Sequence, residues 1–112
     1  MANIYTNAFY DLTTTSKTDI YTCPAGSRAI IQNIQLTCET GTTQVQAYVY
    51  DNSAATEYEI SHVSVGANTT VNLAKGPVVL EENDVLRIEP NSANVVSGMV
   101  SILEINRSDQ NG

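Results

Sequence analysis

The chain has 112 residues, enough for one domain with a single core and too few for two. Charged residues make up 15%, and 12 Asp+Glu against 5 Lys+Arg leave a formal net charge of -7. Cations this sparse and scattered cannot form the basic stripe that displaces counterions from a duplex, which excludes nucleic acid as the main partner. Residues 1–25 show no basic flank followed by an apolar run, and no stretch approaches the length of a membrane span. Neither a secretory signal nor a membrane partner is therefore expected.

Thr, Val, Ile and Tyr dominate, helical periodicity is missing, and turn clusters recur at sandwich-like spacing. Asn3–Tyr10 reads as the first strand, followed by a threonine-rich connection over Leu12–Ser16 and a short strand at Thr18–Thr22. Pro24-Ala25-Gly26 is a turn, with Pro setting φ and Gly supplying a positive φ. Arg28–Thr37 follows, with Ile30, Ile34 and Leu36 on one face together with Gln32, and Ile31 opposite them. Thr43–Asp51 alternates most regularly: Val45, Ala47 and Val49 inward, Gln44, Gln46, Tyr48 and Tyr50 outward. Tyr58–Val65 places Tyr58, Ile60 and His62 on one face. Thr69–Leu73, Val78–Leu80 and Val85–Glu89 are short strands, separated by turns at Lys75-Gly76-Pro77 and at the acidic Glu81–Asp84. Val95–Ile105 is the last and longest, with Val96, Val100 and Ile102 on one face and Met99, Leu103 and Ile105 on the other.

Eight or nine strands this short imply an all-β fold: an antiparallel two-sheet sandwich, jelly-roll-like, with alternate residues forming the core. No connection is long enough for the crossover helix of a parallel sheet. The sandwich is expected to occupy residues 1–105, with a polar, frayed tail over 106–112. The two-sided apolar pattern of the last strand does not suit a strand with one solvated face. It marks Met99, Leu103 and Ile105, with Ile31, as candidates for a contact with another subunit. Tyr48 and Tyr50 are candidates for the same role, for stacking on sugars, or for a covered sheet face.

The search for chemistry finds little. His62 is the single histidine, and it lies mid-strand as a structural or half-buried residue would. The histidine cluster of a metal-dependent cupin is missing, as are GxSxG, HExxH and any glycine-rich phosphate loop. Glu57 with Glu59, and Glu81, Glu82 and Asp84, read as solvated rim carboxylates, with calcium at the second group as the minor alternative. No catalytic residue, metal or cofactor is therefore expected. Cys23 and Cys38 flank a predicted strand that holds them about 30 Å apart at the usual rise per residue. A disulfide needs Cα atoms within about 7 Å, so two free thiols are expected within one chain. Asn68-Thr69-Thr70 and Asn106-Arg107-Ser108 match the glycosylation triplet by chance.

Three segments carry a resemblance: YTCPAGSRAIIQNIQLT at Tyr21–Thr37, PVVLEENDVLRIEP at Pro77–Pro90, and SILEI at Ser101–Ile105. Together they resemble the small β-sandwich virion structural proteins of tailed bacteriophages, a group that includes head decoration (cement) proteins and tail appendages. Cys38 stands where that pattern usually has Asn, and Asn83 where it usually has Gly, a turn position that Asn tolerates. The resemblance implies a non-enzymatic structural protein of the virion, assembled in the bacterial host cytoplasm. It further implies a symmetric homo-oligomer, a trimer by analogy, in contact with the major capsid protein. A tail-fibre or baseplate module touching the host surface, and a carbohydrate-binding domain using Tyr48 and Tyr50, are the alternatives.

Overall fold

The computed structural model describes residues 2–106. Among the described residues nine strands form: β1 (Ala2–Leu12), β2 (Thr18–Thr22), β3 (Ser27–Cys38), β4 (Thr43–Asp51), β5 (Thr56–Val65), β6 (Thr69–Asn72), β7 (Val78–Leu80), β8 (Val85–Pro90) and β9 (Val96–Asn106). No helix forms among the described residues. Asn106, expected in the tail, instead ends β9, and the rest of the expected tail lies outside the described residues.

All pairings are antiparallel. Sheet A runs β1-β9-β3-β6, with β7 also on β3, and sheet B runs β2-β8-β4-β5. Successive strands β1 and β2, β3 and β4, and β8 and β9 divide between the two sheets, which is the strand order of a jelly roll. The core between the sheets holds Leu12, Ile31, Ile34, Leu36, Val45, Ala47, Leu80, Leu86, Ile88, Val96, Val100 and Ile102, all at most 1% exposed.

Three bulges decide which residues reach that core. In β3 the register against β9 shifts between Ile31 and Asn33. Ala29 and Ile31 therefore face inward before the bulge, and Ile34, Leu36 and Cys38 after it. Ile31, expected on the outer face, is wholly buried, while Ile30 is the outward residue. Simple alternation fails because one extra residue reverses the parity of everything beyond it. In β5 the shift leaves Ile60 unpaired between Glu59 and Ser61. Tyr58 consequently lies opposite Val49, on the inward side, whereas His62 lies opposite Gln46, on the outward side. The expected shared face of Tyr58, Ile60 and His62 is thus broken. The third bulge sits at Ile20 in β2.

The short β6 and β7 leave a gap along β3, and Asn72 fills it. Its Oδ1 accepts from the Ile34 and Ala74 amides, at 2.9 and 3.0 Å, so the ladder is continued by a side chain. Gly98 in β9 is required by a close approach. An added Cβ there would overlap the Gln35 carbonyl oxygen, and the Tyr10 hydroxyl that donates to this carbonyl lies 2.7 Å from the same position. At the acidic turn Asn83 adopts φ 68°, as the turn pattern requires, and Gly26 adopts φ 75°.

Candidate functional site

Sheet A presents its outward face through alternate residues of β1, β9, β3 and β7. Cα partners in register share a face, so the pairings Tyr5–Leu103, Leu103–Ile30 and Ile30–Val79 set four apolar side chains in one row across the sheet. A second row runs from Phe9 to Met99 and on to Gln35, and a third from Asn3 to Ile105 and Arg28. Tyr5 is 77% exposed, Phe9 73% and Val79 60%. Met99, Leu103 and Ile105 are half-buried, sheltered by these neighbours. A shallow depression lined by Tyr5, Asn7, Met99 and Ser101 lies in the middle of the face. Among the outward positions of β1, β3, β7 and β9, only Asp11 and Arg28 carry charge.

Of the six interface candidates, Met99, Leu103 and Ile105 thus lie together on this outward face. Ile31 is removed from it by the β3 bulge, and Tyr48 and Tyr50 lie on the other sheet. Sequence reading missed Tyr5, Phe9, Ile30 and Val79. The alternation of Tyr5 and Phe9 with Ile4 and Ala8 was visible, but only the β1–β9 register shows which set turns away from the core.

Sheet B faces outward with a different chemistry. Tyr48 is only 9% exposed: Lys17 Nζ lies 4.2 Å above its ring, and its hydroxyl donates to Glu89 Oε1 at 2.9 Å. Burial, aided by that hydrogen bond, pushes the Tyr48 phenol up to about 12. The Arg87 guanidinium lies 5.2 Å from the Tyr50 ring and donates to Asp19 Oδ1 at 2.7 Å and Glu57 Oε2 at 2.9 Å. Lys17 also donates to Glu57, and these hydrogen bonds, Lys17 first, hold the Glu57 carboxyl below its ordinary value. His62 is exposed rather than half-buried, with Nδ1 3.0 Å from Glu59 and Nε2 3.3 Å from Gln44. This face is a covered, ion-paired surface, and the Tyr48 ring is not open for a sugar to stack on.

The remaining candidates are structural in their contacts. Asp84 is buried, and its two oxygens accept from the Asn52 and Glu81 amides at 3.0 and 2.9 Å. Glu82 accepts from the Gly26 amide at 2.7 Å. These carboxylates tie the β7–β8 turn to the β2–β3 and β4–β5 turns. Among the described residues no three His, Cys, Asp or Glu side chains gather as metal ligands. Cys23 and Cys38 are buried and unbridged. Burial, with the charges of Glu104, Asp84 and Glu82 adding, raises the Cys23 thiol to about 11, which makes it a poor nucleophile. A second cleft opens where β5 and β7 part, lined by Tyr58, Ile60, Val78 and Val79 with Arg28, Asp51 and Glu81 at its rim.

The sequence matches no family model, and no curated protein matches it. Solved structures do match in fold. A subunit from the disulfide-linked pili of Bacillus endospore appendages aligns over 91% of this chain and 85% of its own, at 14% identity and a TM-score of 0.53. A pentameric capsid protein from metagenomic phage sequences aligns over 92% of this chain and 62% of its own, at 19% identity and a TM-score of 0.47. The CBM22-1–GH10 modules of Clostridium thermocellum xylanase 10B align over 92% of this chain and 25% of their own, at 13% identity and a TM-score of 0.47. At 14% identity the likeness to the pilus subunit extends to the fold alone.

Proposed function

We propose that this chain is a non-enzymatic virion structural protein of a bacteriophage, a capsid decoration protein that acts by self-association and by contact with the capsid. The outward face of sheet A carries this reading. A row of apolar side chains, Tyr5, Leu103, Ile30 and Val79, lies on a protein whose net charge of -7 otherwise favours solvation. The resemblance of Tyr21–Thr37, Pro77–Pro90 and Ser101–Ile105 to phage virion proteins supplies the setting. Immunogold labelling of virions that encode the chain tests it: many copies spread over the head are expected. A few copies confined to the tail would replace decoration with the fibre or baseplate reading, and no label on virions would overturn both.

A second reading, carbohydrate binding, is supported by the β5–β7 cleft. There Tyr58 is 55% exposed beside Asp51, Glu81 and Arg28, a mixture of ring and polar groups suited to a sugar. Chemical-shift changes at Ile60, Val78 and Val79 of the cleft on titration with oligosaccharides, lost in Tyr58→Ala, are the outcome that reading requires.

A further inference from the structure

The edges of the two sheets are defended unequally. β2 has five residues and a bulge; β6 and β7 have four and three; β5 carries Glu57, Glu59 and His62 and a bulge. Short length, bulges and charge are the ordinary means of keeping an edge from pairing with another chain. β1 has none of them. It runs eleven residues against β9 without a register shift, contains no Pro or Lys, and bears a single charge, Asp11, at its far end. It is the terminal strand of sheet A, so alternate amides and carbonyls along it face away from β9 with no strand among the described residues to pair with.

We propose that β1 pairs antiparallel with β1 of a second copy, across a two-fold axis at Asn7, to make one continuous sheet from two sheets A. In this arrangement the strand is self-complementary over its whole length. Directly opposed residues must point to the same face, so outward residues must meet outward residues. With the axis at Asn7 the whole strand overlaps itself: Asn3 meets Asp11 of the second copy, Ile4 meets Tyr10, Tyr5 meets Phe9, Thr6 meets Ala8, and Asn7 meets Asn7. The two most exposed rings of the face, Tyr5 and Phe9, then form cross-strand aromatic pairs on either side of an amide pair. Asp11 faces a neutral Asn, so two acidic molecules meet where each is least charged. A closed three-fold ring through β1 would need a second receptive edge on each subunit, and the other edges are short, bulged or charged. The contact therefore has two-fold symmetry, in place of the three-fold expected from the resemblance.

This names the partner in the self-association proposed above. Its test uses the purified chain, so its failure is distinct from failure to label virions. Sedimentation velocity well above micromolar concentration should find the unmutated chain dimeric. Asn7→Lys sets two like charges against each other at the axis and should give a folded monomer, checked by circular dichroism, with dimer affinity at least tenfold lower. Mixing Asn7→Lys with Asn7→Glu should restore a dimer, an outcome available only if position 7 faces position 7. Val79→Lys, on the far side of the sheet, should leave the dimer intact. A monomeric unmutated chain, a dimer indifferent to Asn7→Lys, or a mixture that stays monomeric overturns the proposal. So does a dimer lost on Val79→Lys, which would assign the contact to stacked sheet faces.

Discussion

On the outward face of sheet B, Tyr48 and Tyr50 each have a cation over the ring, Lys17 and Arg87, held in place by Glu57 and Asp19. On the outward face of sheet A, Tyr5 and Phe9 have no such cover among the described residues and are 77% and 73% exposed. Both faces carry aromatics at outward strand positions, so residue type does not separate them. The difference is whether neighbouring strands offer long charged side chains that can lie over the ring. The β1–β2 connection supplies Lys17 to Tyr48 and β8 supplies Arg87 to Tyr50, and carboxylates of β2 and β5 hold these cations in place. β9, the neighbour of β1, offers Ser97, Met99, Ser101, Leu103 and Ile105. A sheet face whose aromatics are capped from within one chain is finished, and a face whose aromatics are left open is free to meet another surface.

The largest effect that tests this contrast comes from adjacent residues of β9. Ile102 is 1% exposed in the core and Leu103 is half-buried outside it. Ile102→Ala should lower unfolding free energy by about 2–5 kcal/mol in a denaturant titration. Leu103→Ala, measured where the chain is monomeric, should cost under about 1.5 kcal/mol. Equal losses would mean that the sheet A face is as closed as the core, and the comparison would fail.

A smaller effect is expected on the other face. Arg87→Met removes two carboxylate partners and the cover of Tyr50 and should cost about 1–2 kcal/mol, a loss that shrinks as salt is added. A cost that is absent at low salt would show that the charges over sheet B are decoration without energetic weight.

The smallest effect is in acid. Hydrogen bonds from Lys17 and Arg87 depress the Glu57 carboxyl below its ordinary value of 4.5. Its stabilisation is therefore full above that value and is lost as pH falls through the lower, folded-state value. Denaturation midpoints measured as pH is lowered past 4.5 should fall less steeply in Glu57→Gln than in the unmutated chain. Identical slopes would remove Glu57 from the account of this face.

Much of the fold was legible in sequence because alternation and turn chemistry are local. Thr18–Thr22, Thr43–Asp51 and Val78–Leu80 match the observed strands residue for residue, and Asn83 takes the left-handed turn its position demands. The two-sided pattern of Val95–Ile105 pointed correctly to Met99, Leu103 and Ile105 as outward apolar residues. Ile31 shows the limit. Its neighbours Ile30 and Ile34 are equally apolar, and nothing in the string IIQNI marks where an extra residue will be absorbed. That bulge falls where β3 passes from pairing with β7, over Ala29–Ile31, to pairing with β6, over Gln35–Cys38, while β9 lies along its other side. Tyr48 shows the same limit on the other sheet, since its covering Lys17 comes from far away in sequence. Composition, strand periods and turns were thus set by residues near one another in the chain. Which face closes and which stays open was decided by register, bulges and side chains brought over from distant strands, all of which arise only when the sheets assemble.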